Sequence, residues 1–255
     1  MPSSIAVTIL AKNSQEHLAR CLTALTDFPE IILLDNGSTD DTVAIAESFA
    51  NVKVFHSPFI GFGPLKNLAA SYATQDWILS IDSDEVLSPA LAQSILRQPL
   101  DKQKAYKFLR KNFYGNRHIN ACGWENDYVL RLYNRKTTGF SQSEVHETIL
   151  TEHVKVETLP GTMDHYSYQN ATQLVQKMNY YSSLFAQEQQ GRKSSSPFTA
   201  VYKGLFSFFR NYILKRGILY GSDGFLISVT NALGSFYKYM KLHEANQRSR
   251  QRTED

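Results

Sequence analysis

The chain has 255 residues, 42% hydrophobic and 20% charged, with a net charge of +3; that balance excludes a disordered chain. The length allows one large core or two modest ones, and no apolar run reaches the roughly 18 residues that a membrane-spanning helix needs. Cys21 and Cys122 lie far apart with no CxxC pattern, as for two reduced thiols of a cytoplasmic protein.

Met1-Pro2-Ser3-Ser4 has neither the basic region nor the apolar stretch of a secretory leader. Ile5–Leu10 then reads as a buried strand, and Ser14 as the N-cap of a helix with Leu18, Cys21, Leu22 and Leu25 at helical spacing. Ile31–Leu34 is a second strand, ending at Asp35-Asn36-Gly37-Ser38, with Thr39 placed to cap a second helix. Val52–Phe55, Pro64–Thr74, Trp77–Ile81 and Ser88–Arg97 continue the alternation as strand, helix, strand and helix. Such alternation predicts an α/β fold whose mostly parallel sheet carries helices on both faces. Ligands of these sheets bind outside the carboxyl ends of the strands, where Asp35 and Asp82 both fall.

From Lys104 the pattern changes to shorter strand-like segments at Ala105–Leu109, Tyr128–Tyr133 and Val154–Leu159, then a long helix over Asn170–Glu188. Gly191-Arg192-Lys193-Ser194-Ser195-Ser196-Pro197 has a linker's composition. Two apolar-aromatic helices follow, Phe198–Leu214 and Phe225–Leu242. The expected organisation is a catalytic domain over 1–190, with a nucleotide-binding half at 1–100 and an acceptor half at 101–190. A helical extension over 198–255 completes it. Residues 1–191 carry 16 basic and 20 acidic side chains, residues 192–255 carry 11 and 4.

Chemistry concentrates after Trp77-Ile78-Leu79-Ser80-Ile81, where Asp82-Ser83-Asp84-Glu85 follows at once. Carboxylates at the end of a buried strand need a compensator, a divalent cation, a basic side chain or a cation carrying a phosphorylated ligand, since an unpaired buried charge is very costly. Mg²⁺ takes few protein carboxylates and completes its shell from water and phosphates, so the cluster points to a nucleotide diphosphate. Only proximity ties Glu85 to such a metal. In the turn Asp35-Asn36-Gly37-Ser38-Thr39-Asp40, backbone N–H groups are exposed and Asp35 is placed to accept from a base or ribose; an ordinary strand-to-helix turn has the same composition. Pro64 fits a first helical position, which puts Lys66 in the first turn. A cation is disfavoured there, unless an anion such as a phosphate is held nearby.

Together these residues resemble the inverting family-two glycosyltransferases of GT-A (Rossmann-like) fold, through Lys12-Asn13, the Asp35–Asp40 turn, and Asp82-Ser83-Asp84 as the DxD motif. The bacterial lipopolysaccharide inner-core glucosyltransferases are the branch most similar. They resemble the chain at Gly61-Phe62-Gly63, Lys66-Asn67, Gly123-Trp124, Asp127 with Leu130-Arg131-Leu132, Val145-His146-Glu147, His165-Tyr166-Ser167-Tyr168 and Leu214-Lys215-Arg216-Gly217. The resemblance spans about residues 4–243; a departure is Ser14-Gln15-Glu16, where the family often has two acids.

The resemblance implies transfer of a hexose, glucose by expectation, from a UDP-sugar to an inner-core heptose of lipooligosaccharide, with inversion at the anomeric carbon. It implies Asn13, Asp35, Gly37, Ser38, Lys66 and Asp82 at the donor. It also implies a divalent cation (Mg²⁺ or Mn²⁺) on Asp84, Asp82 and His146. Asp127 is the first choice of general base, with Glu144 and Glu147 as rivals; alternatively Asp127 merely pairs with Arg131. Three other functions compete: glycosylation of a polypeptide, nucleotidyl transfer to a sugar phosphate, and non-catalytic saccharide binding. The basic, aromatic C-terminal segments suit an anionic lipid surface. Peripheral attachment to the cytoplasmic face of the inner membrane, beside a lipid-anchored saccharide acceptor, is therefore expected. Nucleic acid is not, because no recognised module occurs and the first 191 residues are net acidic.

Overall fold

The structure, a computed structural model, describes residues 5–142 and 147–254, and for 250–254 the backbone alone. In chain order its strands are β1 (Ile5–Ala11), β2 (Glu30–Asp35), β3 (Val52–His56), β4 (Trp77–Asp82), β5 (Glu85–Leu87), β6 (Lys104–Tyr114), β7 (Arg117–His118), β8 (Asp127–Asn134) and β9 (Lys155–Tyr168). The α-helices are α1 (Gln15–Thr23), α2 (Thr42–Glu47), α3 (Phe62–Tyr72), α4 (Pro89–Arg97), α5 (Ala171–Gln189), α6 (Pro197–Phe209) and α7 (Gly221–Glu254).

The contacts divide the chain into two compact units, 1–111 with 126–166 and 112–125 with 167–255. The division does not follow the change of composition at 191–197, because α7 packs along both α5 and α6. No helix among the described residues is long and apolar enough to cross a membrane.

In the first unit the sheet order is β3-β2-β1-β4-β8-β6-β9-β5. The pairs β3–β2, β2–β1 and β1–β4 are parallel. Beyond β4 the pairing reverses: β8 runs antiparallel to both β4 and β6, and β5 antiparallel to β9. Hairpin-type pairing needs no helical crossover, so the second half carries fewer helices. Alternation of side chains along β1 sends Ile5, Val7 and Ile9 to a core built with α1, α2 and α4, and Ala6 to a second core built with α3. Helices thus cover both faces, as the apolar runs imply. Ser88 caps α4 by accepting from Leu91 N at 3.2 Å. Gly161 holds β9 against that helix: its φ is +108°, and a Cβ there would lie 2.6 Å from Leu91 Cα.

Candidate active site

The register brings the acids to one edge. Asp35 and Asp82 flank β1 opposite Ala11 and Leu10, roughly 10 Å apart at two strand spacings. Because β8 is antiparallel to β4, its first residue, Asp127, lies at that same edge, paired with Arg110 of β6. Three loops there are tied by side chains. Asn13 N donates to Ser38 Oγ at 2.9 Å, Thr39 N donates to Asn13 Oδ1 at 2.8 Å, and Ser83 Oγ donates to Ser14 Oγ at 2.8 Å.

Asp35, only 3% exposed, accepts from Gly37 N at 3.1 Å and Ser38 N at 3.2 Å and lies 3.3 Å from His56 Nδ1. Burial raises its pKa, but the Ser38 and Gly37 hydrogen bonds prevail and hold it below the ordinary value. Its carboxylate shapes the turn, while Asn13, Gly37 and Ser38 form the loop edge. Ser14 stands at the head of α1 without capping it through its side chain, and α2 starts at Thr42 behind Asp41 instead of at Thr39.

Lys66, expected in a first turn facing phosphate, is the fifth residue of α3 and is buried. Its Nζ lies 3.2 Å from Asp82 Oδ1 and 2.9 Å from Glu147 Oε1. Two carboxylates, not a helix-terminal anion, therefore balance it. Arg131 Nη2 donates to Asp82 Oδ2 and to Glu85 Oε1, each at 2.6 Å. Arg110 Nη1 donates to the same Glu85 oxygen at 3.0 Å, and its Nε to Asp127 Oδ2 at 2.8 Å. Glu85 Oε2 accepts from Asp82 N at 2.9 Å.

The result is one chain of alternating charge: Glu147, Lys66, Asp82, Arg131, Glu85, Arg110, Asp127. Burial pushes the Asp82 carboxyl up, but Arg131 first and Lys66 second overcome it and leave the pKa far below the usual carboxylate range. Asp82 therefore stays ionised throughout the neutral range.

Both Asp82 oxygens are engaged, Oδ1 by Lys66 and Oδ2 by Arg131. His146 and Glu144 fall outside the described residues. Asp84 lies 3.5 Å from His165 Nε2, and β5 brings them together by pairing Glu85 with His165. Among the described residues no group of three or more His, Cys, Asp or Glu side chains is placed to hold a metal ion. Two protein ligands still fit a hard cation that draws its other oxygens from a diphosphate and water.

Asp127 pairs with Arg110, not with Arg131. Sequence reasoning assigned no role to Arg110 and set Glu85 aside. The available signal was Arg131 within the apolar run of β8: a cation in a buried strand requires a buried anion.

A half-parallel sheet with helices on both faces and an acidic edge after β4 is the arrangement of a GT-A fold. The profile of Glycosyl transferase family 2 matches residues 6–149, and the chain belongs to that family. It is 31% identical to an uncharacterized glycosyltransferase of Rickettsia typhi over 96% of this chain and 89% of that one. It is 27% identical to the lipopolysaccharide core biosynthesis glycosyltransferase LpsC of Rhizobium meliloti, over 94% and 92% of the two chains. Among solved structures, the mannosyltransferase PcManGT of Pyrobaculum calidifontis, in complex with GDP-Man and Mn²⁺, has a similar fold. Its TM-score is 0.50 at 13% identity, covering 92% of this chain and 76% of that one.

Glu85 has no exposed surface and neutralises two arginines, and breaking a buried pair costs about 3–5 kcal/mol. Glu85→Gln is therefore expected to lower unfolding free energy in urea by that amount, and a stability within about 0.5 kcal/mol of wild type contradicts the wiring.

Proposed function

We propose that the protein is an inverting hexosyltransferase that moves glucose from a UDP-sugar to an inner-core heptose of lipooligosaccharide. The observation that carries the reading is the charge chain, which links an aspartate at the head of β8 to the acids after β4. The donor lies along the Asn13, Gly37 and Ser38 loop edge, with its diphosphate toward Asp84. Asp84 and His165 would hold a divalent cation, which would neutralise the departing diphosphate.

Asp127 is the general base. Arg110 fixes its Oδ2 through both Nε and Nη2, each at 2.8 Å, so the carboxylate is oriented before the acceptor arrives. It takes the proton of the acceptor hydroxyl as that oxygen bonds to the anomeric carbon. The bond from that carbon to the diphosphate breaks on the opposite face, which inverts the configuration. Glu147, paired with Lys66, positions Asp82. Asp127→Asn is expected to lower transfer about 10²–10⁴-fold while calorimetric UDP-sugar binding persists. Wild-type turnover would remove Asp127 from this role.

The saccharide acceptor is supported by the full-length likeness to LpsC and by the surface of the second unit. On α6 and just after it, Phe198 is 83% exposed and Leu205 68%, alongside Phe209 and Leu214. Lys203 and Arg216 share this segment. Exposed apolar patches of this kind mark interaction sites, and the basic companions suit an anionic leaflet. The protein therefore acts as a peripheral enzyme on the cytoplasmic face of the inner membrane. In flotation with phosphatidylglycerol vesicles, the chain is expected to rise with the lipid and Phe198→Asp/Leu205→Asp to stay below. Equal flotation of the two contradicts membrane docking through α6.

A further inference from the structure

The second unit contains a cavity of about 320 Å³ whose lining includes none of the residues of the charge chain. Its size is that of a small-ligand site. Lys177, Arg210 and Lys238 line it, and neither Asp nor Glu occurs among its described lining residues. Trp124 and Tyr168 also line it, stacked with ring centroids 5.4 Å apart and planes at 17°.

Several of these groups are held in place. Lys177 Nζ donates to Ser167 O at 3.2 Å and lies 4.7 Å from the Tyr168 ring centroid. Arg210 opens a π-helical turn, Arg210–Leu214, in which Lys215 N donates to Arg210 O at 2.8 Å. Such turns are rare and recur at functional sites. Asn211 is buried there, with its Nδ2 donating to Ser207 O at 2.8 Å. Gly123 has φ +90°, and a Cβ on it would lie 3.2 Å from Asn211 Oδ1. The backbone thus approaches the cavity where glycine is favoured.

We infer that this cavity binds an anionic saccharide, a phosphorylated sugar. Three cations without a carboxylate select a multiply charged anion, and guanidinium and ammonium groups hold phosphate through charge-assisted hydrogen bonds. With one face of Tyr168 stacked on Trp124 and its ring also approached by Lys177, the outer face of Trp124 is the surface offered to the polarised C–H bonds of a sugar. Inorganic phosphate would leave the rings unused, and a neutral sugar would leave the cations unused. The inference stands on the second unit alone and does not depend on the identity of the donor.

Titration of the full chain with glucose 6-phosphate, read by calorimetry and tryptophan fluorescence, is expected to show saturable binding. Glucose and inorganic phosphate should each bind about tenfold more weakly, and Lys238→Gln and Arg210→Gln should each weaken glucose 6-phosphate by about tenfold, the worth of one charge-assisted hydrogen bond. UDP-sugar binding should be unchanged in both variants, which separates this site from the donor site. Absence of saturable binding, equal affinity for inorganic phosphate, or indifference to both substitutions overturns the inference.

Discussion

The buried carboxylate of Glu85 is the constraint on which the site depends. It lies between Arg131 and Arg110 and also accepts the backbone N–H of Asp82. Without that anion, two guanidinium groups would be left in a poorly solvated interior, a state far costlier than any surface charge. With it, each positive group has two negative neighbours, and the chain of charge runs unbroken from Glu147 to Asp127. Asp82 and Asp127 are thereby fixed by the arginines that Glu85 holds.

The sheet order makes this wiring possible. Parallel β2, β1 and β4 deliver Asp35 and Asp82 at their carboxyl ends, and the reversal at β8 delivers Asp127 at its amino end. A wholly parallel sheet would have sent the start of β8 to the opposite edge. The antiparallel half is thus what brings Asp127 to the same rim as Asp35 and Asp82. Asp82 then serves as a hinge point of charge, gripped by Lys66 from α3 and Arg131 from β8, while Asp84 pairs with His165.

Much of the first half was legible because local patterns determine it. Apolar runs ending in Asp35 and Asp82 identify parallel strands and their functional ends, and Ser88 before Pro89 marks α4. Glu85 was undervalued because its partners lie 25 and 46 residues away, and no local pattern reveals strand pairing across such distances. Lys66 invited a phosphate reading because Pro64 suggested a helix start, whereas α3 begins at Phe62 behind Gly61. The composition change near 191–197 suggested a boundary, yet α5 packs with α7 and belongs to the second unit. The cationic cavity beside Trp124 was invisible for the same reason, since its lining comes from segments over a hundred residues apart.

The second unit joins an exposed aromatic helix to a cationic cavity, a combination suited to an enzyme that works on a charged, lipid-linked saccharide. The central claim is that this chain adds one hexose to such an acceptor. Mass analysis of lipooligosaccharide from a strain lacking the gene tests it most directly. Loss of one inner-core hexose with everything built on it, restored by the wild-type gene, is the expected result. Lipooligosaccharide of unchanged mass would contradict it.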